Sequence, residues 1–445
     1  MKNVCPLDFR YGRDEVKKIF SEDNRLLYQL KVEAALARAH AKFGNIPENA
    51  ADEITKKANL NYVKIERVKE IESEIHHDVM AMVKALTEVC GDAGKYIHLG
   101  ATSYDIVDSA NALQITEAID IIEKGLVELK NSLLGLAVKY RDTVMLGRTH
   151  GQDALPITFG MKMAVFASET DRHIHRIKQC REEVAVGKMS GAVGTGAALG
   201  EHFFEIQNAV MEELGLKAEL PSTQIVGRDR YIALISVLAN IAASMEKFAT
   251  EIRNLQRSEI GEVAEPFAKK QVGSSTMPHK RNPIICEQIC GLSRVIRANL
   301  LPAWENAIQW HERDLCNSSS ERFILPHSII LTDWVISQMT KVFSGLDVYP
   351  QKMKENIERS MGLPMAESIM ILLVEKGMGR QEAHELMRVC SIKAIEQKKH
   401  LREILMGDKK IRELLTPEEI SNALDAEKYI GSAVKIVDMT IERLS

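Results

Sequence analysis

What the chain lacks narrows its class first. Its cysteines, Cys5, Cys90, Cys180, Cys286, Cys290, Cys316 and Cys390, contain no CxxC pair and make an odd total. That argues for free thiols in a reducing compartment and against a disulfide framework. Cys286 and Cys290 share a helical face but lack a partner at metal spacing. The longest uncharged helical run, Tyr231 to Met245, is too short to span a bilayer and contains Asn240. The start of the sequence carries no apolar segment of signal-peptide length. A net charge of -4 over 445 residues supplies no broad basic field for nucleic acid. A cytoplasmic protein without membrane or nucleic-acid partners is expected, and an anionic small molecule would need local positive charge. Alternating β-branched runs are scarce, so any sheet is small.

What is present is helix. A hydrophobic fraction of 45% and a charged fraction of 27% describe an ordinary globular chain. From Arg228 to Glu259 there is neither Gly nor Pro, and Ile235, Leu238, Ala242, Met245, Ala249 and Ile252 follow the 3-4 spacing of a bundle helix. Tyr104 to Arg141, Ile157 to Val186, Ile284 to about Trp310 with a kink at Pro302, and His327 to about Leu346 read as further long helices. The fold class is therefore all-α. Turn residues place an N-terminal helical domain at 1–103, a central long-helix bundle at 104–361 and a C-terminal helical domain at 362–445. The glycine-rich piece Gly187 to Gly200 lacks the preceding strand and terminal GK[ST] of a nucleotide cradle and reads as a tight interhelical loop.

The most informative segment is GSSTMPHKRNP, Gly273 to Pro283. Asn282 suits an N-cap and Pro283 a first helical position, so the free N–H groups of the helix that follows should attract a carboxylate or phosphate. Lys280 adds a full charge, and Ser274 and Ser275 add hydroxyls beside glycine. A flexible linker with a basic cap would explain a bare GSS, but not the combination. His150, in Arg148-Thr149-His150-Gly151-Gln152, is an exposed loop histidine able to move a proton near neutral pH. His76-His77-Asp78 falls on a predicted helix with an apolar stripe at Ile71, Ile75, Val79, Met82 and Leu86, where His77 also fits a plain surface position. Thr102, Ser103 and Asp105 form an N-cap signature. The stretch Trp310 to Arg322 puts Arg313, Ser318 and Arg322 in a loop suited to bidentate anion recognition, or to a solvated charge run. Arg10-Tyr11 is a weaker signal.

Together, LGATSYDIVDSA, GRTHG, STQIVGRDR, GSSTMPHKRNP and WHERDLCNSSSER resemble, in order and along nearly the whole chain, the adenylosuccinate lyase family of the fumarase/aspartase superfamily. The MPHKRNP form is narrower than the superfamily. The related 3-carboxymuconate cycloisomerases have a similar loop and GATS turn, but the HHDV and WHERD…SSSER segments favour the lyase. The chain departs from the family's usual Arg-His-Asp pattern, with His76 in the arginine position.

The resemblance implies an elongated three-part helical fold and a β-elimination that releases fumarate from adenylosuccinate, giving AMP, and from succinyl-aminoimidazole carboxamide ribotide, giving AICAR. It implies Ser274 as general base, His150 as general acid and His77 in binding and in support of the acid. Arg10, Tyr11, Arg313, Ser318 and Arg322 would hold phosphate and succinyl groups, with His76, Asp78, Thr102, Ser103, Gln224 and Ser275 as further contacts. Lys280 and Asn282 would stabilise the dianion formed when a proton leaves the carbon beside a carboxylate. No metal or organic cofactor is called for. A homo-oligomer, a tetramer by resemblance, is expected to share its sites between subunits. Tyr104 to Arg141 as one helix would be about 57 Å long, too long for Thr102 and His150 of one chain to meet at one small substrate.

Overall fold

The computed structural model describes residues 4–267, 276–277 and 279–444. Contacts divide the chain into two compact units: Met1–Leu126 with His173–Glu246 and Cys290–Ser337, and Val127–Arg172 with Lys247–Ile289 and Gln338–Ser445.

The helices relevant to the site are α1 (Glu22–Lys42), α2 (Ile65–Ile75), α3 (Asp78–Val89), α4 (Ser103–Lys139), α5 (Phe159–Val184), α6 (Asp229–Leu255), α7 (Ile284–Ala298), α8 (Leu300–Glu305) and α9 (Cys316–Ser344). Among the described residues the sheets are three two-stranded ladders. β1 (Val144–Thr149) pairs antiparallel with β2 (Gln152–Thr158). β3 (Val186–Gly187) pairs parallel with β4 (Lys217–Ala218). β5 (Val263–Ala264) pairs antiparallel with β6 (Asp347–Val348). The chain is all-α, as its composition predicts.

The 3-4 periodicity explains the long helices. In α6 the six residues from Ile235 to Ile252 that mark the stripe are all fully buried, and in α4 Ile115, Ile119, Ile122, Leu126, Leu129 and Leu133 form a second buried row. Each such aliphatic side chain contributes about 1.5–3 kcal/mol on burial. In the first unit α1, α3 and the start of α4 share a core with Leu30, Leu36, Met82, Leu86 and Ile106. In the second unit the C-terminal helices close over Met365, Ile369, Leu373, Leu401 and Ile420.

Three helix assignments differ from the sequence reading. The stripe from Ile71 to Leu86 is two helices, because His76 adopts a left-handed conformation (φ 54°) that ends α2 and His77 begins α3. The helix after Pro283 stops at Ala298, and a new one starts at Leu300. Pro302 therefore sits in a first turn, where its missing N–H removes no bond, and is not a mid-helix kink. Finally, α9 begins at Cys316 and carries Pro326 inside it, so Ser318 and Arg322 stand on helical turns and not in a loop. The glycine-rich piece begins in the two-residue strand β3, which the sequence reading did not expect, runs as a loop through Gly191, Gly194 and Gly196 with positive φ, and ends in a short 3-10 helix, Ala197–His202.

Candidate active site

In the first unit, His76, His77, Asp78, Ser103, Arg313, Ser318 and Arg322 line one cavity of about 590 Å³, a size that suits a small ligand. The break between α2 and α3 positions the first three. His77 Nδ1 accepts the Met80 N–H at 3.3 Å, so the neutral ring carries its proton on Nε2. Asp78 Oδ1 accepts the Val79 N–H at 2.8 Å, while its Oδ2 accepts from Arg322 at 2.6 Å and Arg25 at 3.3 Å. Burial alone would raise the Asp78 carboxyl, but Arg322, the Val79 N–H and Arg25 outweigh it and hold the group below the usual carboxylate range. Arg25 is shifted below its ordinary value, first by burial and then by the like charge of Arg322. One carboxylate thus serves two guanidiniums.

Arg313 has the geometry best suited to binding an anion. Its Nη1 donates to Gln224 Oε1 at 2.8 Å, and its guanidinium lies 3.6 Å above the Tyr104 ring centroid. Its Nε and Nη2 are buried and have no hydrogen-bond partner among the described residues. Buried donors are almost always paired, so two open ones on a fixed guanidinium are a receptor for a bidentate acceptor. Tyr104 Oη donates to Ser318 Oγ at 3.1 Å, tying α4 to α9 beneath that receptor.

The frame around this cavity consists of buried ion pairs. Arg228 donates to Asp108 at 2.8 and 2.9 Å and to Glu321 at 2.9 Å. Burial and the charge of Asp108 lead the opposing causes that leave Arg228 well above its ordinary value. Thr102 N–H donates to Asp105 Oδ2 at 2.8 Å, so the Asp105 carboxylate ties back to the start of α4. Asp105 is in turn fully buried against Lys188 of the glycine-rich loop. Arg10 and Tyr11 are not among the described residues lining the cavity; Tyr11 packs edge-on against Trp334, with ring centroids 5.3 Å apart.

The second unit holds the remaining described candidates. His150 and Gly151 form the two-residue tip between Thr149 and Gln152, both with positive φ (55° and 73°). A type I′ hairpin requires that geometry, and histidine is among the non-glycine residues that adopt it most readily. The strand beneath is fixed by Arg148, which donates to buried Glu262 at 2.8 and 2.9 Å. Asn356 Nδ2 also donates to Glu262, at 2.8 Å. Lys280 is exposed and Asn282 half-buried before α7; Ser274 and Ser275 lie outside the described residues. The expected free helix start is occupied. The N–H groups of Ile285 and Cys286 donate to Glu265 Oε1 and Oε2, each at 3.1 Å. The helix opens at Ile284, and its first donors satisfy the chain's own buried carboxylate.

Known proteins are similar to this one along nearly the whole chain. The lyase family profile matches residues 8–298, and a profile described as adenylosuccinate lyase C-terminus matches residues 362–440. The adenylosuccinate lyase of Pyrococcus horikoshii is 54% identical over 99% of this chain and 97% of its own. The chain belongs to the adenylosuccinate lyase family. The family member from Methanocaldococcus jannaschii is 49% identical over 99% of this chain and 96% of its own. Among solved structures, a 3-carboxy-cis,cis-muconate lactonizing enzyme from Pseudomonas putida superposes with a TM-score of 0.91 at 34% identity, covering 98% of both chains. A fumarate lyase from Mesorhizobium sp. BNC1 gives 0.90 at 33%, covering 97% of this chain and 98% of its own. The fold is thus shared with relatives of other activity, while the higher identity lies with the adenylosuccinate lyases. Sequence reading missed Arg25, Tyr104, Arg228 and Glu265: Tyr104 and Arg228 lie inside LGATSYDIVDSA and STQIVGRDR without having been singled out, and Arg25 and Glu265 sit in segments with no chemical signature of their own.

Proposed function

We infer that this lyase cleaves adenylosuccinate to AMP and fumarate, and succinyl-aminoimidazole carboxamide ribotide to AICAR and fumarate, by β-elimination. Membership of the adenylosuccinate lyase family over the full chain carries this reading. The open Nε and Nη2 donors of Arg313 give it a physical counterpart, since both substrates bring phosphate and carboxylate groups.

Ser274 removes the proton from the succinyl carbon next to the carboxylate, and the electron pair spreads into that carboxylate as a dianion. Lys280 and Asn282 stabilise it by charge and hydrogen bonding. When the pair returns, the carbon–nitrogen bond breaks, and His150 gives its proton to the departing nitrogen. His77, with Nε2–H available, and Asp78 orient the substrate. Arg313, Ser318 and Arg322 hold its anionic groups, with Thr102, Ser103, Gln224, Arg10 and Tyr11 as further contacts. Arg25 supplies a guanidinium in the cavity that His76 also lines, and His76 stands where the family usually has arginine.

The sites are shared within a homo-oligomer, a tetramer by family resemblance. Ser103 opens a helix of 37 residues, about 55 Å long, and exposed Leu301, Trp304, Ile308, Trp310 and Phe323 form apolar surface suited to a second copy. An ultraviolet assay should show fumarate release from adenylosuccinate, undiminished by EDTA, and none of the carboxymuconate turnover that a cycloisomerase would show. A folded sample inactive on both succinyl-nucleotides would refute the reading. Mixing inactive His150→Gln and Ser274→Ala proteins under subunit exchange should restore partial activity; no recovery despite proven exchange would refute the shared site.

A further inference from the structure

Glu265 and Gln256 join the two arms of the segment that carries Ser274 and Lys280. Glu265 is buried, 2% exposed, and its two carboxylate oxygens take the N–H groups of Ile285 and Cys286. Gln256, just beyond α6, uses both ends of its amide. Its Oε1 accepts the Glu265 N–H at 2.9 Å, and its Nε2 donates to the Arg281 carbonyl at 3.2 Å. The Arg281 guanidinium lies 5.2 Å from the Phe267 ring centroid. The arm ending at Phe267 and the arm beginning at Arg281 are therefore linked by three separate interactions. The incoming arm is itself pinned by the β5–β6 ladder and by the Tyr349 N–H donating to the Glu262 carbonyl at 3.0 Å.

We propose that Glu265 is a positioning residue for the elimination: by occupying the start of α7 and, through Gln256, fastening the two arms, it fixes the base from which the signature segment presents its catalytic groups. This rests on the functional reading above. A carboxylate suits the task better than a neutral group, because it accepts two N–H groups at once and meets the positive end of the helix. Burial pushes the Glu265 carboxyl above its usual range, and the Ile285 and Cys286 N–H groups offset part of that desolvation cost.

The test compares full-length wild type with Glu265→Ala, Glu265→Gln and Gln256→Ala. Misplacing a catalytic group by about 1 Å costs roughly 100-fold in rate, so kcat of Glu265→Ala should fall about 10- to 100-fold. Glu265→Gln, which keeps one acceptor oxygen, should fall less, and Gln256→Ala least. The dissociation constant for AMP should stay within about twofold of wild type, because Arg313 and its neighbours lie outside this link. Unchanged kcat in folded Glu265→Ala, or a parallel loss of AMP binding and helical circular dichroism, would overturn the proposal. Limited trypsin digestion at Lys280 and Arg281 reads the same link without the reaction. Faster cleavage in Glu265→Ala supports it and equal cleavage overturns it, whereas an inactive wild type would refute only the functional reading.

Discussion

The Arg313 pocket and the His150 hairpin are held in place by different means. In the pocket, buried ion pairs, Arg228 with Asp108 and Glu321 and Lys188 with Asp105, surround a guanidinium with two open donors. At the hairpin, the side chain that matters is exposed and its backbone is fixed, by a two-residue turn and the Arg148–Glu262 pair beneath it. A group that binds an anion gains from a low-dielectric frame that keeps its charge from being screened. A group that passes a proton needs position more than burial. The two regions should therefore respond differently when altered.

The largest expected effect breaks the comparison most directly. His150→Asn keeps a residue that tolerates the left-handed turn and removes the proposed acid, so kcat should fall by about 10²–10⁴ while AMP binding is unchanged. Arg313→Ala should do the reverse. It raises KM and the AMP dissociation constant by about 10- to 100-fold, the loss expected for hydrogen bonds to a charged group, with a smaller change in kcat. Steady-state kinetics and AMP titration on both variants decide it. If His150→Asn weakens AMP binding as much as it lowers kcat, the division into a binding region and a proton-moving region is wrong.

The next effect concerns stability. Arg228→Leu leaves Asp108 and Glu321 buried without their cation, and losing one partner of such a pair costs about 3–5 kcal/mol. Denaturant unfolding at fixed protein concentration measures it. The Glu321 carboxyl is already held above its usual range by burial, against the pull of Arg228, so a partial rescue is expected as the pH is lowered and Glu321 takes up a proton. The same change made in the Arg148–Glu262 pair should reduce kcat more than it reduces stability, if that pair serves the hairpin tip.

These differences also explain what could be read in the sequence. Periodicity found α4 and α6 because their stripes are long and uninterrupted. It missed the break at His76 because Ile71, Ile75, Val79 and Met82 keep helical spacing across it, and only a left-handed backbone at one residue separates α2 from α3. Local pattern likewise could not show that α9 starts at Cys316, since tertiary packing extends that helix through Pro326. Segments with unusual composition revealed Arg313, Ser318, Arg322 and His150. Arg25 and Glu265 act through partners far away in sequence, Asp78 and Arg322 for one and Ile285 and Cys286 for the other. No single segment encodes such a relation. The helix start before α7 shows the limit of motif logic: the anion site was predicted, but its occupant is Glu265.

The smallest effect sharpens the comparison at the turn leading to Thr102 and Ser103. His98, in a left-handed conformation (φ 62°), is fixed twice by Glu33: its N–H lies 3.1 Å from Oε2 and its Nδ1 2.6 Å from Oε1. Beside it His40 Nε2 lies 2.9 Å from the Leu99 carbonyl, and Asp105 adds negative charge. Burial alone would lower the His98 value, but the hydrogen bond and charge of Glu33, with Asp105, outweigh it and raise it above that of an exposed histidine. The folded chain thus holds a proton that the unfolded chain has released, so stability from this pair is full below the unfolded pKa and is lost as pH rises through the folded one. His98→Asn, which tolerates the backbone and keeps a polar side chain, should lower Tm most near pH 6, with the difference from wild type narrowing as the pH is raised. His40, lowered by burial against its bond to Leu99, is present in both proteins and drops out of that difference. A gap that stays constant with pH would show that Glu33 holds a neutral ring, and that the turn, like the His150 tip, is fixed by backbone geometry and not by charge.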